Sequence, residues 1–580
     1  VSRADRVAAQ RRRSKQTTQP ITLQSPYGGL NTRDAIDAMA ITDAIQLDNF
    51  FPSEGKVSVR PGYVEHSKNL VLVYGGSSTL TIIDGLIDSG TDFTTNGTSV
   101  GDLILNTDTN VSTTVTGIIS ANQITTAISF ISSGENYQIL SDTGISAVET
   151  VAEYQSGATR HLIAAANNYL YNASDSGFSV DISDSGAPYA NNRWQWANFN
   201  GVIQFVNGAD APRQWDGATM TLPAWTGTTV SQLVGVAVFK TRMFFWKANS
   251  ADFWYGASNA ISGVLTNFPL SRVDKSGGYL VAFESYTIDS GLGADDFAVF
   301  IMSSGAVIVY KGTDPASAST WALVGIYSIP EPLNIRGSCR VGADVMIVTA
   351  EDIVPLTTVL RGGFLGSGSK ISGAVGASAR TNAASFGWQI ILHPAGRMLI
   401  INNPTSLGYD QWALNTITGA WARFKDIKAS CWGTYNKKMY FGGDAGVVYK
   451  FDESISTDNG NAIDVVAVQA WSDLGSPYEK RIAACRPVIS SDGGISYSLD
   501  IGFDFVTPLP ASPTSVTTSG APWDTTAWDT SPWSPENIVY ASWSLCSGKG
   551  QMVSTSLRLS AKQDISWLRT DYRIETAKKL

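Results

Sequence analysis

The chain has 580 residues, of which 43% are apolar and 10% aromatic, enough to bury sizeable cores. That excludes an intrinsically disordered chain, and the length points to two to four domains. A net charge of −9 argues against a protein that wraps nucleic acid through a broad basic face, but not against a surface past which nucleic acid slides.

Residues 1–20 form a basic arm, in which Arg3, Arg6, Arg11, Arg12, Arg13 and Lys15 face a single acid, Asp5. It reads either as a tail or as an arm that docks on a partner, with Arg11, Arg12, Arg13 and Lys15 as candidate docking residues. No apolar stretch follows it, so no secretory signal is expected.

Residues 21–68 open with a turn at Tyr27-Gly28-Gly29, then pass a PSEG turn into the alternating run KVSVRPGY. Residues 69–159 hold no Lys or Arg but nine acids, and are rich in Ser, Thr, Gly and Asn. Runs such as SVGDLILN, STTVTGIIS and QITTAISFI alternate as strands do, which predicts a small inserted β-domain over 69–150.

Residues 151–465 repeat one theme of strand, turn and aromatic-rich strand. It recurs in NNYLYNAS, GVIQFVNGADAPRQWDG, RMFFWKANSADFWYG, AVFIMSSGAVIVYKG, DVMIVTAEDIVPL, RMLIINNP and KMYFGGDAGVVYKFDE. A spacing of about 34 to 56 residues fits a β-propeller of six to eight blades. A four-stranded blade cannot bury both faces alone, and a radial array of blades can. The small-residue stretch 355–385 reads as an inter-blade loop with a short helix. Residues 466–580 read as a C-terminal β-sandwich-like domain carrying a Trp-rich loop with Trp523, Trp528, Trp533 and Trp543. The expected fold class is therefore all-β.

The chemistry-bearing residues are sparse. Cys339, Cys431, Cys485 and Cys546 form no CxxC pair and read as reduced, mostly buried thiols. His66, His161 and His393 are isolated, so neither metal ligation nor a Ser-His-Asp arrangement is indicated. GSGSK at 366–370 lacks the phosphate-loop spacing, and SSDGGISY at 490–497 reads as a turn device. Asp181 with Asp184, and Asn106 with Asp108 and Asn110, lack the Gly and distal Glu of a calcium loop. No catalytic residue, cofactor or metal is expected. No run is long enough for a membrane span, so no membrane insertion is expected.

The segment YGGLNTRDAIDAMAITDAIQLDNFFPSEGKVSVRPGY carries a Gly-Gly-aliphatic turn, a polar residue and an acid, then an Asn, an acid-Gly turn and Arg-Pro. In this chain those are Gly28, Gly29, Leu30, Asn31, Asp34, Asn49, Glu54, Gly55, Arg60 and Pro61. The pattern resembles the N-terminal signature of tail nozzle proteins of short-tailed bacteriophages, also called tail tubular protein B or packaged-DNA stabilisation proteins. KMYFGGDAGVVYKFDE and AWSDLGSPYEKRI are similar to this group as well; the acidic insert is not part of the pattern. The resemblance implies a propeller protomer in a homohexameric ring below the phage adaptor (head-to-tail connector), alongside tail fibres or spikes. Such a ring would retain packaged double-stranded DNA and pass it during ejection, without enzymatic activity, in a virion assembled in the host cytoplasm. An acidic or neutral lumen suits that task, because Lys and Arg contacts to phosphate create adhesion. The alternative expectation is a receptor-binding tail adhesin that uses a propeller scaffold to bind a host glycan.

Overall fold

The computed structural model describes residues 19–142, 145–184, 188–289, 294–362, 368–508, 510–511, 513–516 and 538–576. The protein is all-β, a β-propeller with added sheets. Two compact units form. One comprises residues 65–345 and 428–450; the other comprises 1–64, 346–427 and 451–580.

In the first unit, four antiparallel meanders of four strands follow in chain order. Their outer strands are Thr150–Ser156 and Val180–Asp181, Gln195–Phe199 and Met220–Thr221, Leu233–Phe239 and Thr266–Phe268, and Leu280–Asp289 with Trp321–Ser328. A three-stranded meander lies at Ser338–Pro355, and the other unit has a four-stranded one from Gln389 to Phe424. A further sheet joins Cys431–Tyr435, Lys438–Gly442 and Val447–Asp452 to Gly62–Lys68, a strand from far earlier in the chain.

The blades stack through alternate side chains, because a strand presents every second residue to the same face. Ala152, Tyr154, Ile163 and Leu170 of the first meander meet Trp194, Phe205 and Trp215 of the second. Val206 of the second meets Leu233, Met243 and Phe245 of the third. Phe244, Trp246 and Phe253 of the third meet Phe283, Phe300 and Tyr310 of the fourth, with the Phe253 and Phe300 rings stacked 4.8 Å apart. Val151, Leu162 and Ala164 meet Cys431, Tyr440 and Val448 on the first meander's other face. Each blade thus buries its neighbour's face, and burial of each large apolar side chain is worth about 1.5–3 kcal/mol. Arg336 ties the blades with hydrogen bonds to Glu149 O (3.0 Å), Thr150 Oγ1 (3.0 Å) and Trp194 O (2.8 Å).

Residues 71–141 form a six-stranded sheet with its own core of Leu86, Phe93, Ile104, Val115, Ile124, Phe130, Tyr137 and Ile139. Its first and last strands are paired neighbours, with Val71 opposite Ser141.

In the second unit, the strands at both ends of the chain share sheets. Gln19–Gln24 pairs antiparallel with Arg569–Ile574, and Lys56–Val59 lies beside Ser566–Trp567. Asp43–Asp48 lies between the meander ending at Phe424 and the strand Ile463–Gln469. The stretch read as the N-terminal segment and the stretch read as the C-terminal sandwich therefore build common sheets. These sheets enclose Leu23, Ile482, Cys485, Tyr572 and Ile574 on one side and Leu499, Phe503 and Val553 on the other. Residues 355–385 carry two helices, Leu356–Leu360 and Ser372–Asn382. Helix Ser372–Asn382 is short, and its small residues let Gly373 lie against the Thr32 carbonyl. No helix among the described residues is long and apolar enough to cross a membrane.

Because the insert enters and leaves the unit on paired strands, replacing residues 71–141 by a two-residue Gly-Ser link should leave the blades folded. The expected result is a retained near-ultraviolet aromatic signal and a stability change within about 1 kcal/mol, read by urea unfolding. Loss of the cooperative transition would show instead that the insert is part of the blade core.

Candidate functional site: the buried polar network of the N-terminal segment

The ten signature residues fall in the second unit and sort into three structural roles. The first is a tight turn. Gly28 N donates to Thr42 O, and Gly29 N donates to Pro26 O. Gly29 has φ +86°, and a Cβ there would meet the Trp421 backbone N at 2.6 Å, so glycine is required twice over, by conformation and by space. Leu30, buried, continues a short parallel pairing with Asp43–Ala44.

Asn31 then organises the polar core of the turn. Its Nδ2 donates to Asp34 Oδ2 and Asp43 Oδ2, both at 2.8 Å. Its Oδ1 accepts from the backbone N–H groups of Arg33 and Asp34 at 3.1 Å, the local bonding for which Asn is favoured in turns. Asp43 is buried and paired with Lys370 Nζ at 2.7 Å, which also reaches Gly28 O at 3.3 Å. Lys370, the residue that gave GSGSK its likeness to a phosphate loop, is thus committed to a carboxylate. Arg33 Nε bonds Asp34 Oδ1 at 2.9 Å. That bond first, and the Asn31 bond second, hold the Asp34 carboxyl down to about 2, below its ordinary 3.8.

The second role is a hairpin. Phe50–Ser53 and Lys56–Val59 pair across a two-residue loop, Glu54-Gly55, with Gly55 at φ +73°. Glu54 is exposed and makes the turn only.

The third role is a buried ion pair. The Arg60 guanidinium has no exposed side-chain surface, and its Nη2 lies 2.6 Å from Asp458 Oδ2. Nη1 donates to Asp458 Oδ1 and to Pro61 O, both at 2.9 Å. Nη2 also reaches Lys425 O at 3.1 Å, and Nε donates to Asn49 Oδ1 at 2.8 Å. All five N–H donors of the guanidinium are matched, two of them in a fork to one carboxylate. Asn49 holds φ +59°, a conformation Asn tolerates better than most residues, and its Nδ2 donates to Asp464 O at 2.7 Å. Beside it, Arg423 forks onto Asp48 at 2.6 and 2.9 Å.

Asn31, Asn49 and Arg60 are buried in this network, while Asp34 is partly exposed. Asp43, Asp48, Arg423 and Asp458 complete it, none of them singled out by sequence reasoning, together with Lys370, which the sequence had offered only as part of GSGSK. The docking candidates Arg11, Arg12, Arg13 and Lys15 lie outside the described residues, as do Trp523, Trp528 and Trp533. Trp543 is sandwiched by Arg486 and Arg573, 4.8 and 4.3 Å from its ring.

The remaining candidates for chemistry are occupied by structural bonds. Asn106 Oδ1 accepts from the backbone N–H groups of Asp108 and Thr109. Asp184 accepts from Tyr189 Oη at 2.7 Å and Arg213 Nε at 2.8 Å. His66 bonds Ala173 O at 3.0 Å, and burial pushes its pKa down. His161 stacks on Tyr154, and His393 bonds Glu453 at 2.5 Å. Among the described residues no group of three His, Cys, Asp or Glu side chains could hold a metal ion.

No family model and no curated protein matches the chain. Among solved structures, it is similar to BamB from Moraxella catarrhalis at 10% identity, over 66% of this chain and 99% of that one, with a TM-score of 0.31. YCF48 from Cyanidioschyzon merolae shares 10% identity over 61% of this chain and 97% of that one, at 0.26. The computationally designed Ika8 protein shares 7% over 67% and 99%, at 0.31. These likenesses are too distant to bear on function. The fold class stands on the meander sheets and their packing: the chain is a β-propeller protein.

Two predictions follow from the network's geometry. Arg60→Ala leaves Asp458 buried without its partner and should lower the unfolding free energy by about 3–5 kcal/mol in urea titration. Arg60→Lys should recover little of this, since an ammonium cannot fork onto the carboxylate and reach Asn49 and Lys425 at once; a loss under about 1 kcal/mol for the alanine variant would refute the role. Separately, NMR titration of isotope-labelled aspartates should place Asp34 near about 2, and Arg33→Ala should move it back up towards 3.8. A depressed carboxylate stabilises above its unfolded pKa, so whatever Asp34 contributes is lost as pH falls from 3.8 through about 2.

Proposed function

We propose that the chain is a tail nozzle protein of a short-tailed bacteriophage, a non-enzymatic ring subunit that lines the DNA exit channel below the adaptor. The reading rests on the resemblance of residues 27–63 to the nozzle signature. The observation that supports it best is the inward commitment of that signature. Asn31, Asn49, Asp34 and Arg60 spend their polar groups on one another, on backbone and on the side chains of Arg33, Asp43 and Asp458. A motif built this way specifies architecture, as expected of an assembly protein, and leaves no side chain poised over a substrate.

In this role the ring is a homohexamer that contacts the adaptor above and fibres or spikes around it, while double-stranded DNA passes transiently. Net negative charge suits passage, because few cationic contacts to phosphate means little adhesion.

Native mass spectrometry and negative-stain electron microscopy of the purified protein, with and without adaptor, test the reading. The expected outcome is a six-membered ring with an axial channel, and weak DNA binding that vanishes with modest salt. A chain that remains monomeric with adaptor present, and that is missing from the tail axis of particles, would rule it out. Strong binding of one glycan class by such a monomer would point to the adhesin.

A further inference from the structure

Cys485 lies on strand Lys480–Ser491 and Cys546 on the neighbouring strand Ser544–Gly550. The strands pair antiparallel with Cys485 opposite Ser544 and Ala484 opposite Leu545, and the register then shifts before Ile482 meets Gly548. Cys546 sits in that irregular stretch, on the diagonal from Cys485 and on the same face of the sheet. In a regular ladder this diagonal leaves a gap of several ångströms, and the bulge closes it. The two sulfurs lie 2.6 Å apart, against about 2.0 Å for a covalent S–S bond. Both are thiols in the structure, and both face the apolar core around Ile482, Tyr572 and Phe503.

We propose that Cys485 and Cys546 are a redox pair that closes to an intramolecular disulfide on contact with a low-molecular-weight disulfide such as oxidised glutathione. The two thiols have different access, which sets the order of steps. Cys546 is partly exposed and Cys485 is buried. The hydrogen bond from Cys485 lowers the pKa of Cys546, whereas that same contact first and burial second raise Cys485. Cys546 is therefore the attacking thiolate. Its sulfur bonds one sulfur of the oxidant and expels the other as a thiol, leaving a mixed disulfide. Cys485 then loses its proton to solvent and attacks the Cys546 sulfur, expelling the second small thiol. Two protein thiols are oxidised, one small disulfide is reduced to two thiols, and two hydrogens leave the protein. Burial pushes the Cys431 thiol up to about 11, which makes it a poor attacking group.

Closure would join residues 61 positions apart in the chain, with Trp523, Trp528, Trp533 and Trp543 between them in sequence. Such a bond restricts the unfolded chain. This inference is independent of the nozzle reading.

The test uses the folded full chain, treated with excess oxidised glutathione, then denatured, alkylated and digested for mass spectrometry. Alkylatable thiols should fall from four to two, with the peptides of Cys485 and Cys546 joined and Cys339 and Cys431 alkylated. Dithiothreitol should restore all four. In Cys485→Ser, Cys546 should stop at the mixed disulfide with glutathione. Four alkylatable thiols after treatment, or a persistent glutathione adduct on Cys546 in the unsubstituted chain, would overturn the proposal; neither readout depends on a variant folding.

Discussion

A guanidinium with no exposed surface is tolerable only if each of its N–H groups finds an acceptor, and at Arg60 those acceptors come from separate parts of the chain. Asn49 and Pro61 are close in sequence, while Lys425 and Asp458 are hundreds of residues away. The desolvation cost of the ion pair is offset only when all of these segments are in place together. Arg60 thus makes the folding of the N-terminal segment conditional on the later strands. The neighbouring pairs Arg423–Asp48 and Lys370–Asp43 impose the same condition on other pieces of the same unit. Hydrophobic burial supplies most of the stability there, but it is non-directional. The forked, fully matched contacts select one register among the many that alternating strands would accept.

The blades solve a different problem with different means. Their interfaces carry aromatic side chains in edge-to-face and stacked contacts, such as Tyr154 with Trp215 and Phe253 with Phe300. One buried amide in the blades is matched locally. Gln204, buried, donates to Gln214 and Ile261 O and accepts from Trp225 Nε1. Packing among the four meanders rests on successive neighbours in the chain, except where the first meets Cys431, Tyr440 and Val448; the N-terminal network rests on partners far apart.

This difference explains what the sequence makes legible. RMFFWK, NYLYN and VVYKFD alternate, carry aromatic residues and end at glycine or Asn turns, so strand, turn and blade could be read from local pattern. Alternation says which residues share a face but not which strand lies alongside. The pairing of Gln19–Gln24 with Arg569–Ile574 has no local signature, and a serial division of the chain therefore missed it. The signature residues Asn31 and Arg60 were visible as a motif, but their partners were not. Asp458 sits in the polar run DESISTDNGN, where nothing marks it apart from its neighbours. Lys370 had been weighed only against phosphate, because the register that brings it to Asp43 is a tertiary fact. Cys485 and Cys546, 61 positions apart, give no spacing cue of any kind.

The acidic insert shows why composition and surface must be weighed separately. Within residues 71–141 there is no cation to pair with, so the carboxylates turn to backbone and hydroxyl donors. Asp88 accepts from Tyr137 Oη and Gly90 N, Asp92 from Thr94, Asp102 from Ser99 N and Asp108 from Asn136 N. The Thr94 bonds lower the pKa of Asp92. Turn geometry alone accepts Asn in this role, as at Asn96 and Asn106. The choice of Asp over Asn at the other turns therefore adds negative field without adding shape. Asp88 and Asp102 are buried, so their charge is held inside the domain by hydroxyl and backbone donors, whereas Asp92 and Asp108 make their bonds in exposed turns. With no Lys or Arg in residues 71–141, the insert's charge is negative at neutral pH.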